Sequence, residues 1–302
     1  MRSIERTVAL RLRQDRWFHV FGVLCTLLGV ATLCALLGSL LLDGLGRIDW
    51  SFLSSFPSRR AGQAGILSAL VGSLLVMLVT AAVAVPLGIA AGVYLEEYAR
   101  KNRLTAIVEI NIANLAGVPS VIYGLMALGV FVYAFGFGHS ILTAGLTLAA
   151  LILPIVIVAT REALRTIPRS IREASYALGA TKWETVWHHL LPYSMGGIAT
   201  GIIIGLSRAI GETAPLVTIG ALAYIAFLPD APFTSEPPFV SFAWLQSDFT
   251  VLPMQMFNWV SRPDPAFHAN AAATGVVLIA ITLSMNALAI FVRYRMRRSI
   301  KW

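Results

Sequence analysis

An all-α integral membrane protein with six spans is the fold class this sequence predicts. Three observations carry it: an apolar content too high for a soluble surface, six apolar runs of spanning length, and a one-sided distribution of Lys and Arg. Apolar residues make up 57% of the 302 and charged ones only 13%, whereas soluble domains carry about 25% charged residues. A hydrocarbon core about 30 Å thick needs roughly 20 apolar residues per helix. Runs of about that length or longer fall at 17–42, 66–95, 117–135, 141–160, 194–227 and 271–292.

The first run follows a basic segment, 1–16, and is too long for the core of a cleavable signal, so it is expected to stay as a span. Its cysteines, Cys25 and Cys34, stand about 13 Å apart along a helix and on opposite faces, which rules out a bond between them. The second run contains Pro86, where a kink near Val85 is expected. Residues 105–116 mix apolar side chains with Glu109, Asn111 and Asn114 and suit the bilayer edge. A glycine-rich turn at 136–139 leads to the fourth run, with Pro154 inside. The fifth is long enough to tilt or to change course near Pro215. Residues 228–270 hold seven of the fourteen prolines and form the longest non-spanning segment, followed by the sixth run and a basic tail. One transmembrane domain, 17–302, is the result.

Cytoplasmic loops keep the excess of Lys and Arg. With both termini inside, the inner segments hold eighteen of the 23 basic residues and the outer loops four, namely Arg47, Arg59, Arg60 and Arg262. Arg208 alone lies within a run. This puts 161–193 in the cytoplasm and 228–270 outside, and it accounts for the net charge of +8 without nucleic acid. The five histidines offer no helical pair and no cysteine neighbour, so no metal site is indicated. No Gly-x-x-x-x-Gly-Lys-Ser/Thr sequence occurs, so ATP binding is not expected on this chain.

Residues 161–193 are far more chain than a tight turn requires. Residues 171–178 are helix-prone, Gly179 can end that helix in a left-handed conformation, and Thr181 can cap another with Glu184 three residues later. Two short helices at an angle are expected, carrying Tyr176, Trp183 and Trp187. They can form a docking surface or lie as an amphipathic connector on the lipid.

In the fifth run Arg208 and Glu212 are four residues apart and can bond on one helix face. Gly197, Gly201 and Gly205 form a small-residue stripe that lets another backbone approach. At about 100° per residue both charges fall within that stripe and should face protein, with Arg208 about 21 Å into the span. The pair can be a structural salt bridge, or Arg208 can receive an anion, since its fork of donors matches tetrahedral oxyanions. Glu212 would then hold Arg208 or accept a hydrogen bond from a protonated phosphate oxygen.

Glu173-Ala174-Ser175, Gly179 and Leu191-Pro192, at their spacing, resemble the EAA loop of bacterial ABC-importer permeases. His189 departs from the pattern by replacing an aliphatic residue. Gly117-Val118-Pro119-Ser120-Val121-Ile122-Tyr123-Gly124, Gly211-Glu212-Thr213-Ala214-Pro215-Leu216, and Leu252-Pro253 with Phe257-Asn258-Trp259 are similar to the PstA-type permeases of phosphate importers. The resemblance implies a type I ABC importer (MetI-like) permease fold in the bacterial inner membrane. It implies a non-catalytic subunit, with Glu173, Ala174 and Gly179 contacting a cytoplasmic ATPase. The implied partners are a second permease of the PstC type, a dimeric PstB-type ATPase and an extracytoplasmic PstS-type phosphate-binding protein. This chain would carry no cofactor, ATP and Mg residing on the ATPase. Sulfate or molybdate remain rival cargoes, and a membrane scaffold that docks an ATPase, or a self-sufficient channel, remain rival classes.

Overall fold

A computed structural model describes residues 2–232, 239 and 241–298, with side chains from residue 11 onward except 13, 292 and 296–298. Among these residues the regular structure is helical, apart from one isolated bridge between Ser140 and Asp248.

Helix α1 (Arg2–Gly44) joins the N-terminal segment and the first span in one element. It lies at the edge of the bundle against the last helix, Ala266–Arg298, with apolar side chains such as Leu24, Leu28 and Leu36 exposed along its length; only hydrocarbon or another chain can cover that surface. At its end Gly44 packs on the backbone of Ala272, leaving no room for a Cβ. Helix α2 (Trp50–Ser54) starts at Asp49, whose carboxylate accepts from the Phe52 amide at 2.7 Å. Helix α3 (Leu67–Val93) runs through Pro86 and closes in a π-helical turn, Tyr94–Tyr98.

Helix α4 (Arg103–Leu115), capped by Asn102, meets α5 (Ser120–Ala127) and its π-helical continuation Leu128–Ala134 at 106°. The expected third span is therefore a helix of fifteen residues, about 22 Å long, which falls short of the roughly 30 Å hydrocarbon core. Pro119 disfavours a helical conformation at Val118 and breaks the chain there. Among the described residues five helices have spanning length and composition, and six if this bent pair makes one span.

Helix α6 (Ile141–Arg165) is the central post and α7 (Arg169–Ala177) lies beyond its end. Helix α8 (Lys182–Thr185) passes through a π-helical turn, Val186–Leu190, into α9 (Leu191–Gly211). The second of the two expected short helices is thus the start of a 30-residue helix. Pro192 does not interrupt it, because the wider i→i+5 bonding of the π turn loosens the α-helical ladder just ahead of the ring. The fifth span ends at Gly211, well before residue 227: α10 (Ala214–Thr218) follows a break, and the chain then turns back through Gly220. Helices α11 (Leu252–Val260) and α12 (Ala266–Arg298) complete the order. Part of the expected outer loop, 233–238 and 240, lies outside the described residues, as does the tail from 299.

Helices α3, α6 and α9 pack around Val76, Val79, Leu148, Ile152 and Ala209. The glycine stripe of α9 does bring another backbone close: a Cβ at Gly197 would stand 2.6 Å from that of Ala163, and Gly201 rides on Ala159. At one end of the bundle Val93, Leu164, Ile167, Val186 and Leu190 form a small apolar cluster beneath the basic residues 161–182. At the other, Phe52, Ile66, Leu252, Trp259 and Phe267 make a roof. Arg47 stitches that roof, donating to Asn270 Oδ1 at 2.9 Å and to the carbonyls of Gly62 and Ala64.

Candidate functional site

Arg208 lies in the last turn of α9, where the negative end of the helix dipole favours a cation. Glu212 is the residue on which the helix stops: its backbone is extended (φ −79°, ψ 119°) and its amide donates to the Ala209 carbonyl at 3.2 Å. The two side chains meet through Arg208 Nε and Glu212 Oε1 at 3.3 Å, with 37% and 21% of their side-chain surfaces exposed. The ion pair read from the sequence thus forms, but at a helix break and not along a continuous face. Gly201 and Gly205 of the glycine stripe are buried against α6, while Arg208 further along the helix is partly exposed. Among the described residues only Nε of its guanidinium has a hydrogen-bond partner, so both terminal nitrogens keep donors to offer.

The surroundings of the pair are built by two of the singled-out segments. Gly124 on α5 sits on the backbone of Pro215, where a Cβ would come within 2.6 Å of the Pro215 carbonyl oxygen. Tyr123 lies within reach of the Arg208 charge, and its hydroxyl donates to the Leu115 carbonyl at 2.8 Å, clasping the bend between α4 and α5. Next to Arg208, Ser207 donates to Asn286 Oδ1 at 2.6 Å and ties α9 to α12. The third segment goes elsewhere, with Leu252 and Trp259 packed in the roof.

At the basic end, local sequence dictates local structure. Gly179 adopts φ +88° and closes α7 in a Schellman motif: its amide donates to the Tyr176 carbonyl and that of Ala180 to Ser175. Thr181 and Glu184 then form a capping box, the Thr181 amide donating to Glu184 Oε2 at 2.7 Å and the Glu184 amide to Thr181 Oγ1. Two turns of α7 are thereby held out with Glu173, Ala174, Tyr176 and Leu178 exposed, the last at 90%. Trp183 and Trp187, also exposed, stack at 5.5 Å.

Residues 84–301 match the family described as the binding-protein-dependent transport system inner membrane component. The chain belongs to that family. Among curated relatives of this transport component, the probable ABC transporter permease protein YqgI of Bacillus subtilis is 32% identical over 273 residues, 89% of this chain and 91% of its own length. The phosphate transport system permease protein PstA of Yersinia pestis is 32% identical over 296 residues, 96% and 93% of the two chains. Among solved structures, the inward-facing MetNI methionine ABC transporter aligns with a TM-score of 0.55 at 18% identity, covering 77% of this chain and 94% of that one. That likeness supports the shared permease fold.

Reading the sequence of this inner membrane component missed its densest set of charges. Glu96 at the end of α3, Glu109 on α4 and Arg161 and Arg165 on α6 form one network, and beside it Glu97 pairs with Arg172 on α7. A partial signal was present: four basic residues fall at 161, 165, 169 and 172, although a break at 166–168 divides them between α6 and α7.

Proposed function

We propose that this chain is a permease subunit of an ATP-driven phosphate importer of the bacterial inner membrane. The observation that carries the reading is the half-satisfied guanidinium of Arg208 at a helix break, beside the junction of α5 and α10. Broken helices with ionisable side chains mark substrate sites in transporters, because the break supplies polar groups that a continuous helix keeps for itself. Two spare donor nitrogens suit the oxygens of a tetrahedral anion. Phosphate is favoured over sulfate on two grounds. Relatives named as phosphate permeases span nearly the whole chain, and Glu212 can accept from a protonated phosphate oxygen while repelling a fully ionised sulfate.

In this reading both termini and 161–193 face the cytoplasm. Glu173, Ala174 and Gly179 carry the contact with a dimeric ATPase, which hydrolyses ATP with Mg on its own chain. A second permease completes the translocation path, and an extracytoplasmic phosphate-binding protein delivers the cargo. This subunit carries no catalytic residue and no cofactor of its own.

The test is uptake of radioactive phosphate by the reconstituted complex, with sulfate as competitor. ATP-dependent uptake that resists excess sulfate and disappears in assembled Arg208→Ala is the expected result. Normal uptake by that variant overturns the substrate role of Arg208, and effective competition by sulfate overturns the choice of phosphate.

A further inference from the structure

The motif glutamate, Glu173, is exposed, while its neighbour Arg172 points into the protein. The Arg172 guanidinium grips Glu97 with two nitrogens, Nη2 to Oε1 at 2.6 Å and Nε to Oε1 at 3.1 Å, and the side chains are only 16% and 8% exposed. Its other donors reach the end of α6, Nη1 to the Ile167 carbonyl at 2.9 Å and Nη2 to the Leu164 carbonyl at 3.1 Å. One side chain on α7 therefore binds the last turn of α3 and the last turn of α6 together.

The same face of α7 makes two more attachments. Ser175, one turn on, shares a 2.9 Å hydrogen bond with Thr185 at the start of the long helix, and Ile171 packs on the apolar cluster of Val93, Leu164 and Ile167. The π-helical turn at 94–98 is what makes Glu96 and Glu97 available side by side. In that wider turn successive residues are separated by a smaller angle than in an α-helix, so Glu96 meets Arg165 at 3.0 Å while Glu97 meets Arg172.

We infer that the Arg172–Glu97 pair is a positioning clamp that makes α7, α3 and α6 move as one body, so that displacement of the exposed Glu173 face is passed to the membrane helices. The inference rests on reading 161–193 as the loop that docks the ATPase. Without the clamp α7 keeps its outer face, and hence its docking, but can rock on the Gly179 turn without carrying α3 along. Hydrolysis then continues while transport falls.

The experiment uses the assembled complex in proteoliposomes, with Glu97→Met and Arg172→Met combined so that neither charge is orphaned. Phosphate moved per ATP hydrolysed is the first readout. It is expected to fall about tenfold while the ATPase still co-purifies, and Arg172→Lys, which keeps one point charge on Glu97, is expected to fall between the two. The second readout needs no substrate. With Cys25 and Cys34 replaced by serine, spin labels at Ala177 and Leu87, both exposed, report the separation of α7 and α3. The clamp requires one separation, unchanged by ATP, in the otherwise native chain and a shifted or broadened one in the double variant. An unchanged ratio, loss of the ATPase from the variant complex, or an ATP-dependent separation in the native chain each overturns the proposal. A native complex that hydrolyses ATP but carries no phosphate overturns the assigned cargo instead, and the label separations still judge the clamp.

Discussion

Arg172 and Arg208 meet their carboxylates in contrasting ways. Arg172 uses Nε and both terminal nitrogens, is mostly buried, and shares its surroundings with Arg161 and Arg165, which bind Glu96 and Glu109. Arg208 makes one long contact, to Glu212 at 3.3 Å, and stays more than a third exposed. A buried guanidinium with its donors filled fixes geometry and has nothing left for a passing ligand. One with two nitrogens unpartnered among the described residues has donors left over, as the proposed anion role requires. On the proposed function, the difference separates a charge that holds the protein together from one that is held ready.

The largest test of that contrast is Arg208→Lys. It keeps the positive charge and loses the fork, so phosphate uptake should fall about 100-fold, the equivalent of two charge-assisted hydrogen bonds. The melting temperature of the detergent-solubilised complex should not move, and a large drop would place Arg208 among the holding charges. Arg161→Met should do the reverse. Arg161 is 8% exposed and contacts Glu96 and Glu109. Glu96 keeps Arg165, but Glu109 loses the partner it meets at 2.7 Å, which should cost about 2 kcal/mol in denaturant titration, with phosphate moved per ATP unchanged in the folded fraction. Thr181→Ala removes one half of the capping box and should cost about 1 kcal/mol in the same titration.

The smallest effect should come from a group in neither cluster. The Phe52 amide, then the Ser51 hydroxyl, hold the Asp49 carboxyl below its ordinary value. A lowered folded value means the stabilisation is present above the unfolded value, about 3.9, and is lost as pH falls through the folded one. The melting difference between the native chain and Asp49→Asn should therefore be small at neutral pH and vanish in acid, without affecting uptake.

Contacts between near neighbours in the chain were legible before any coordinates. The Gly179 turn, the Thr181–Glu184 box and the Arg208–Glu212 pair each join positions no more than five apart, and local stereochemistry decides them. The apolar stretch 194–227 was legible only in part: the change of course expected near Pro215 occurs, but hydropathy does not register that the helix stops at Glu212, since Ala214 to Leu222 are as apolar as the residues before them. The grip of Arg172 on Glu97 joins positions 75 apart, and the seat of Gly124 on Pro215 is a meeting of two backbones. Neither has a periodic signature on one stretch of chain.

The unbroken helix from Lys182 to Gly211 gives the Arg208 site a mechanical amplifier. Lys182 and Arg208 are separated by about 39 Å along the axis, so a tilt of only about 5° pivoting near Lys182 sweeps the guanidinium sideways by about 3 Å. That is the length of a hydrogen bond, enough, on the proposed substrate role of Arg208, to offer an anion to one side of the membrane and then withdraw it.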